Sequence, residues 1–313
     1  MTRSLIIGHK GQDGQLLSEH LTAQGGDVIG LGRNGAEGPG IENGAKISLQ
    51  DADSLNHLIE TIKPDYIYYL AAHHNSSEDG LPEDAHLFRL SFDTNALGLI
   101  NTVEALKAHA PGASLFYASS SHVFGKPDIS PQNEATPIQP TNIYGISKSA
   151  GMDICRYYRN RYDIFISVGI MYNHESHLRA KKFVSRKIVN AAVEISNGAK
   201  EKLEIANLSA TADWGSAKDY VRAMERIITH NEPTEFVVAT GTLHTIRDWA
   251  EYAFGQVGLE WNDYIHETMG NLEALPNPLC GNAKKLKEAT GWDHTVDFHG
   301  LIDEMLKFER SVN

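Results

Sequence analysis

The chain has 313 residues, 41% hydrophobic and 22% charged, enough for about two domains or one large α/β unit and too apolar for a disordered chain. Its 28 basic and 40 acidic residues give a net charge of −12, which argues against a general nucleic-acid binder but leaves room for a small anion held by a few placed groups. Cys155 and Cys280 are too few for a disulfide framework or a cysteine zinc site. With no bilayer-length apolar run and no export signal ahead of Gly8, they point to a protein of the reducing cytoplasm that meets no membrane.

In chain order, the first apolar run, residues 4–7, reads as a strand. It opens into Gly8-His9-Lys10-Gly11-Gln12-Asp13-Gly14 and then a helical pattern over 15–24. Strand, G-x-x-G-x-x-G and helix together make a pyrophosphate turn, because glycines let the backbone approach the anion and the helix start offers free N–H groups. A second strand over 27–31 is followed by Arg33, where an acidic residue would select the ribose hydroxyls of NAD and an arginine accommodates the extra phosphate of NADP. NADP is therefore the expected cofactor, ahead of NAD. A helix over 53–61 leads to a third strand over 66–70, and a helix over 87–109 to a fourth over 115–118 that ends in Ser119, Ser120 and Ser121. The next helix, 144–161, begins Tyr144-Gly145-Ile146-Ser147-Lys148, which puts Tyr144 and Lys148 on one face. A hydroxyl at a strand's carboxyl end beside such a pair reads as a Ser120/Tyr144/Lys148 oxidoreductase centre, in which the ammonium would lower the phenol's pKa. A fifth strand covers 164–169.

Strands alternating with helices predict a Rossmann-type doubly wound parallel sheet. The rhythm then breaks into helices near 183–197, 216–230, 246–257, 284–290 and 301–309, with one strand, 235–239, able to rejoin the sheet. The expected division is a cofactor domain over 1–170, rejoined by about 210–242, and a smaller, mostly helical substrate domain over 171–313, interleaved with it. The 15 histidines concentrate at His73-His74 and His174-Glu175-Ser176-His177, neither with the H-E-x-x-H spacing of a zinc helix, so no metal is expected. His73 and His74 follow the third strand and can line the cleft or serve packing.

At these residues the chain resembles an extended short-chain dehydrogenase/reductase, and most closely the GDP-mannose 4,6-dehydratases. The Gly-rich turn with its Gln12-Asp13-Gly14, the stretch from Lys63-Pro64-Asp65 to Leu70-Ala71-Ala72, and Met171-Tyr172-Asn173-His174-Glu175-Ser176 are similar to segments of that family. So are Phe183-Val184-Ser185-Arg186-Lys187-Ile188, Asp213-Trp214-Gly215-Ser216-Ala217-Lys218-Asp219-Tyr220-Val221 and Gly291-Trp292.

The resemblance implies a nucleotide-sugar substrate and a redox-neutral dehydration. Tyr144, helped by Ser120 and Lys148, would deprotonate the C4 hydroxyl as hydride leaves C4 for NADP; a base removes the C5 proton, water leaves C6, and the hydride returns to C6. It places Gly8, Gly11, Gln12, Asp13, Gly14, Arg33, Leu70, Ala71 and Ala72 against the cofactor, along with Tyr144 and Lys148. It also implies a homodimer or homotetramer built on the helices over 87–109 and 144–161.

The chain departs from that pattern in places. Ser120-Ser121-His122 stands where the family carries a Glu for the C5–C6 elimination. A neutral imidazole can accept a proton near working pH, so His122 either replaces the Glu or is a polar pocket residue in a C4 epimerase or reductase. Ala212 replaces one phosphate-binding Arg, the stretch Ala274-Leu275-Pro276-Asn277-Pro278 lacks another, and Ser48 stands in place of an adenine-facing Asp. Asn173, Arg179, Lys182, Arg186 and Lys187 are the remaining candidates to contact substrate. Those losses would also suit an NADP-binding regulatory protein without catalysis.

Overall fold

The apolar runs of the first half pair into one parallel sheet in the computed structural model, which describes residues 1–41, 47–73, 84–199, 202–269 and 277–312. Its elements begin with β1 (Arg3–Ile7), α1 (Gln12–Ala23), β2 (Asp27–Gly32), β3 (Gly35–Glu37), α2 (Ala52–Ile62), β4 (Tyr66–Tyr69), α3 (Asp84–Phe92), α4 (Gly98–His109), β5 (Ser114–Ser120), α5 (Ile143–Tyr162) and β6 (Ile166–Met171). They continue with β7 (Asn173–Glu175), α6 (Val184–Ser196), β8 (Leu203–Ile205), β9 (Thr211–Ser216), α7 (Ala217–Ile228), β10 (Glu235–Val238), β11 (Leu243–Thr245), α8 (Ile246–Gly255), β12 (Ile265–Glu267), α9 (Lys284–Thr290) and α10 (Phe298–Val312).

The seven-stranded sheet runs β10-β6-β5-β4-β1-β2-β3, parallel except for β3. Its strands are apolar on both faces because both are covered. Leu5 and Ile7 join a core with α2, α4 and α5, while Ile6 between them joins a core with α1, α7 and α9. A third core packs α6, α8 and α10 around Trp214 and Trp249. Thus α7 and β10 belong to the main sheet's layers, as does α9 through Leu286. Two small sheets, β11-β9-β7 and β12-β8, complete the fold. The chain leaves β1 toward β2 on one side, while β4 returns on the other. A crevice therefore opens at their carboxyl ends, where such sheets bind ligands.

Four differences from the sequence reading have local causes. β3 is a three-residue strand turned back by Arg33 and Asn34, too short to show a period. α1 begins at Gln12, inside the Gly-rich turn, three residues earlier than expected. The helix expected over 87–109 begins at Asp84 and carries a wide π turn at Asp93–Leu97. There the Tyr69 hydroxyl donates to the Thr94 carbonyl at 2.5 Å and the Tyr117 hydroxyl to the Asn95 carbonyl at 2.9 Å, engaging carbonyls of the turn from outside the helix. Finally, β5 runs on to Ser120, which pairs with Met171 of β6, so the strand extends two residues past the apolar run 115–118.

Candidate active site

The crevice is floored by the turn after β1. Gly8 has φ +97°, and a Cβ there would sit 2.7 Å from the Ala71 nitrogen, so the turn lies directly on Leu70 and Ala71 at the end of β4. A Cβ on Gly14 would meet the His9 Cα at 2.4 Å and the Gly8 carbonyl at 2.5 Å. Gly11 caps α1 with no side-chain bond, leaving the N–H groups of the first turn aimed outward at the positive end of the helix. A turn packed this closely on β4, with the helix N–H groups at its mouth, fits a dinucleotide pyrophosphate. Arg33 is exposed at the tip of the β2–β3 turn, beyond the carboxyl end of β2. Ala72 follows Ala71 at the crevice rim.

Ser120, Tyr144 and Lys148 come together across β5 and α5. Asn142 caps α5, its Oδ1 accepting the Gly145 N–H at 2.8 Å, which fixes Tyr144 in the first turn and Lys148 one turn on. The Ser120 hydroxyl bonds the Tyr144 phenol. Lys148 is buried, donates to the Ala118 carbonyl at 2.8 Å and lies 5.8 Å from the Tyr144 ring centroid. The lowered phenol pKa read from the sequence is not what the geometry produces. Burial pushes Tyr144 up to about 12, opposed by the charge of Arg179 and the Ser120 bond, and the same burial pulls Lys148 down to about 7. Desolvation of two neutral-favouring groups outweighs the attraction between their charged forms.

His122 follows Ser120 on a short turn, Ser121–Phe124, and its N–H donates to the Ser120 Oγ at 3.3 Å. Its ring stands edge-on to Tyr144, centroids 5.8 Å apart and planes at 78°, so it does border the reaction centre. Asn142 Nδ2 lies 2.9 Å from His122 Nδ1, and burial lowers the ring's pKa.

Gln12 and Asp13 do more than line the turn. Asp13 meets His174 Nε2 at 2.9 Å, while His174 Nδ1 lies 2.7 Å from the Tyr172 carbonyl and the ring stacks on Tyr220. Both nitrogens face acceptors, an arrangement that favours the doubly protonated ring. Burial opposes both charges, yet each outweighs it for the other: Asp13 is held below the usual carboxyl range, and His174 above the usual imidazole one. Gln12 donates to the His174 carbonyl at 3.0 Å and accepts from the Ser176 hydroxyl at 2.9 Å. The cofactor turn is thereby tied to β7 and the segment after it.

The proposed substrate contacts divide. Asn173 is half-buried at the start of β7. Arg179 stacks 3.7 Å over Phe183, with Nε 3.3 Å from the buried Glu175, and its charge reaches Tyr144 and Asp13. Lys182 lies 5.7 Å from the same ring. Lys187 lines a groove of about 270 Å³ with Lys181, Asn190, Glu194 and Lys202. Arg186 has other partners: it is buried, ion-paired with the buried Glu309 of α10, and donates to the His177 carbonyl at 2.6 Å. Its charge is matched inside the helical core, which argues against a phosphate contact. Of the paired histidines, His73 donates its N–H to Asn95 Oδ1 at 3.0 Å, while His74 and residues 274–276 lie outside the described residues.

Two residues at the centre went unread in the sequence. Asn95, fully buried in the π turn, donates to Ser147 at 2.8 Å and so braces the helix that carries Tyr144 and Lys148; nothing local marks it out. Asn142 did carry a signal, an Asn just ahead of a helix start.

A Gly-rich pyrophosphate turn on a doubly wound sheet, facing a Ser/Tyr/Lys centre, defines an extended short-chain dehydrogenase/reductase. Residues 5–305 match the family model for GDP-mannose 4,6 dehydratase. The chain is 36% identical to GDP-mannose 4,6 dehydratase 2 of Arabidopsis thaliana, covering 97% of this chain and 85% of that protein. It is 32% identical to the Homo sapiens GDP-mannose 4,6 dehydratase, covering 97% and 90%. The chain belongs to the GDP-mannose 4,6-dehydratase family and is an enzyme of the nucleotide-sugar dehydratase class. Solved structures share the fold at lower identity. RMD from Pseudomonas aeruginosa complexed with NADPH superposes with TM-score 0.85 at 22% identity, covering 100% of both chains. UDP-glucose 4-epimerase from Thermotoga maritima with UDP-glucose gives 0.84 at 18%, covering 99% of both.

Proposed function

We propose that this enzyme uses NADP to convert a GDP-hexose, GDP-mannose first among candidates, to its 4-keto-6-deoxy product. The observation that carries the reading is the convergence of Ser120, Tyr144 and Lys148 on the crevice above the Gly8–Gly14 turn. NADP, when bound, supplies the acceptor for the C4 hydride and returns that hydride to C6. The turn's glycines and helix N–H groups would hold its pyrophosphate, and Arg33 its 2′-phosphate. Ser120 would orient the C4 hydroxyl, and Tyr144 would take its proton while passing the phenolic proton to Lys148, whose neutral amine is accessible with its pKa at about 7. Asn173, Arg179, Lys182 and Lys187 are the proposed contacts to the nucleotide sugar.

A second reading, a C4 epimerase or reductase, is favoured by one observation: His122 stands in place of a carboxylate and turns Nδ1 toward Asn142. Incubation with GDP-mannose and no added reductant separates the two. A 4-keto-6-deoxy sugar supports dehydration; a demand for stoichiometric NADPH, or a C4 epimer alone, supports the second. Tyr144→Phe should cut kcat by about 10²–10⁴ with NADP binding retained, as expected for loss of a general base.

Phe88 of α3, Leu97 just ahead of α4, and Tyr157 and Tyr162 of α5 each leave apolar surface exposed, which suits pairing with a second copy into a homodimer or tetramer. Among the described residues no helix is long and apolar enough to cross a membrane. The two cysteines are buried and unpaired, in keeping with a cytoplasmic enzyme.

A further inference from the structure

We propose that Asn142 holds His122 as the neutral tautomer protonated on Nε2, so that His122 serves the sugar pocket as a hydrogen-bond donor and not as a proton acceptor. The role rests on the reading that the pocket takes a nucleotide sugar oxidised at C4; the tautomer does not.

The helix cap decides the tautomer. Asn142 Oδ1 accepts the Gly145 N–H at 2.8 Å, and only the oxygen of an amide can accept. The end of the amide that faces His122 Nδ1 at 2.9 Å is therefore the NH₂, a donor. A donor needs a lone pair opposite it, so Nδ1 carries no proton and the ring's proton lies on Nε2. A second proton would set N–H against N–H and place a cation beside the positive end of α5. Burial acts in the same direction, lowering the ring's affinity for that proton.

This excludes His122 from removing a C5 proton through Nε2, which has no lone pair to offer in this tautomer. It suits a different task. His122 follows the turn from Ser120 and stands edge-on to Tyr144, the two groups assigned to the C4 oxygen. As Tyr144 takes the C4 hydroxyl proton, and until the hydride has left C4, negative charge collects on that oxygen. A neutral imidazole N–H aimed there stabilises the charge without giving its proton up. His122 is then a catalytic residue acting as a neutral electrophile, and Asn142 is the positioning residue that keeps it so.

The test is the ring nitrogens of His122 by ¹⁵N NMR, in the whole protein with NADP and without sugar, between pH 6 and 8. The expected wild-type pattern is an unprotonated Nδ1 and a protonated Nε2. Asn142→Asp keeps the cap, since a carboxylate also accepts from Gly145, but sets an acceptor opposite Nδ1. It should move the proton to Nδ1 and raise the ring's pKa. A wild-type ring protonated on Nδ1, or a pattern identical in the two proteins, overturns the proposal. For the role, His122→Gln retains an N–H donor and should stay within about tenfold of wild-type turnover, whereas His122→Ala should fall about 10²–10³. A His122→Gln enzyme as slow as His122→Ala refutes the donor role. Failure of the wild type on every GDP-sugar would count against the dehydratase reading, while the nitrogen signals still decide the tautomer.

Discussion

Asp13→Asn isolates the charge in the contact that ties the cofactor turn to β7. The amide keeps the carboxylate's shape and can donate Nδ2–H to His174 Nε2, while His174 Nδ1–H stays on the Tyr172 carbonyl. The hydrogen bonds remain in number, and only the imidazolium–carboxylate attraction disappears. A hydrogen bond between charged groups contributes about 1.5–3 kcal/mol against about 1 for a neutral one, so the loss is about 0.5–2 kcal/mol. At about 2.1 cal/mol/K per residue, a chain of 313 residues unfolds with about 0.7 kcal/mol/K, which turns that loss into about 1–3 °C in Tm.

The sign with pH follows from the two shifts. His174 is raised, so its stabilisation is complete below the ordinary imidazole value and fades as pH climbs through the raised one. Asp13 is lowered, so its stabilisation is present above the ordinary carboxyl value and fades as pH falls through the lowered one. The gap between wild type and variant is therefore widest near pH 5–6.5, between the ordinary values of the two groups, and closes at alkaline pH. Thermal unfolding of both proteins at pH 6 and pH 9 measures it. An equal gap at the two pH values, or a His174 that titrates by NMR at or below its ordinary value, refutes the reasoning.

Gly14→Ala places a Cβ 2.4 Å from the His9 Cα, backbone that cannot yield without opening the turn, so NADP affinity should drop about 100-fold or more; wild-type binding by calorimetry would contradict this. Arg33→Ala should shrink the preference for NADP over NAD by about 10- to 100-fold, the size of a charged phosphate contact, and an unchanged ratio of dissociation constants would remove Arg33 from the site. Arg186→Met strands Glu309 inside the third core and should cost about 3–5 kcal/mol in urea unfolding, much of it regained by adding Glu309→Gln. A stable Arg186→Met protein with weakened nucleotide-sugar affinity would instead return Arg186 to the substrate pocket.

The Rossmann-type sheet was legible in the chain because its signals are local. β1, the Gly8–Gly14 turn and α1 are one continuous stretch, and the glycines there answer to contacts within a few residues or with the neighbouring strand end. Tyr144 and Lys148 share a helix face by spacing alone. What the sequence could not weigh was environment. The Tyr144–Lys148 spacing suggested a lowered phenol, but burial, set by β5 and α5 closing on each other, moved it the other way. Arg186 and Lys187 are adjacent letters with equal charge, yet only packing against α10, more than a hundred residues on, decides that Arg186 pairs with Glu309. His122 was visible as a departure from its family, but its protonation depends on Asn142, 20 residues away and brought to it by the turn back into α5. The sequence by itself determined which groups are present, which helices and strands carry them, and the Gly-rich turn between β1 and α1. Tertiary structure decided their charge, because desolvation and hydrogen-bond partners belong to neighbours in space.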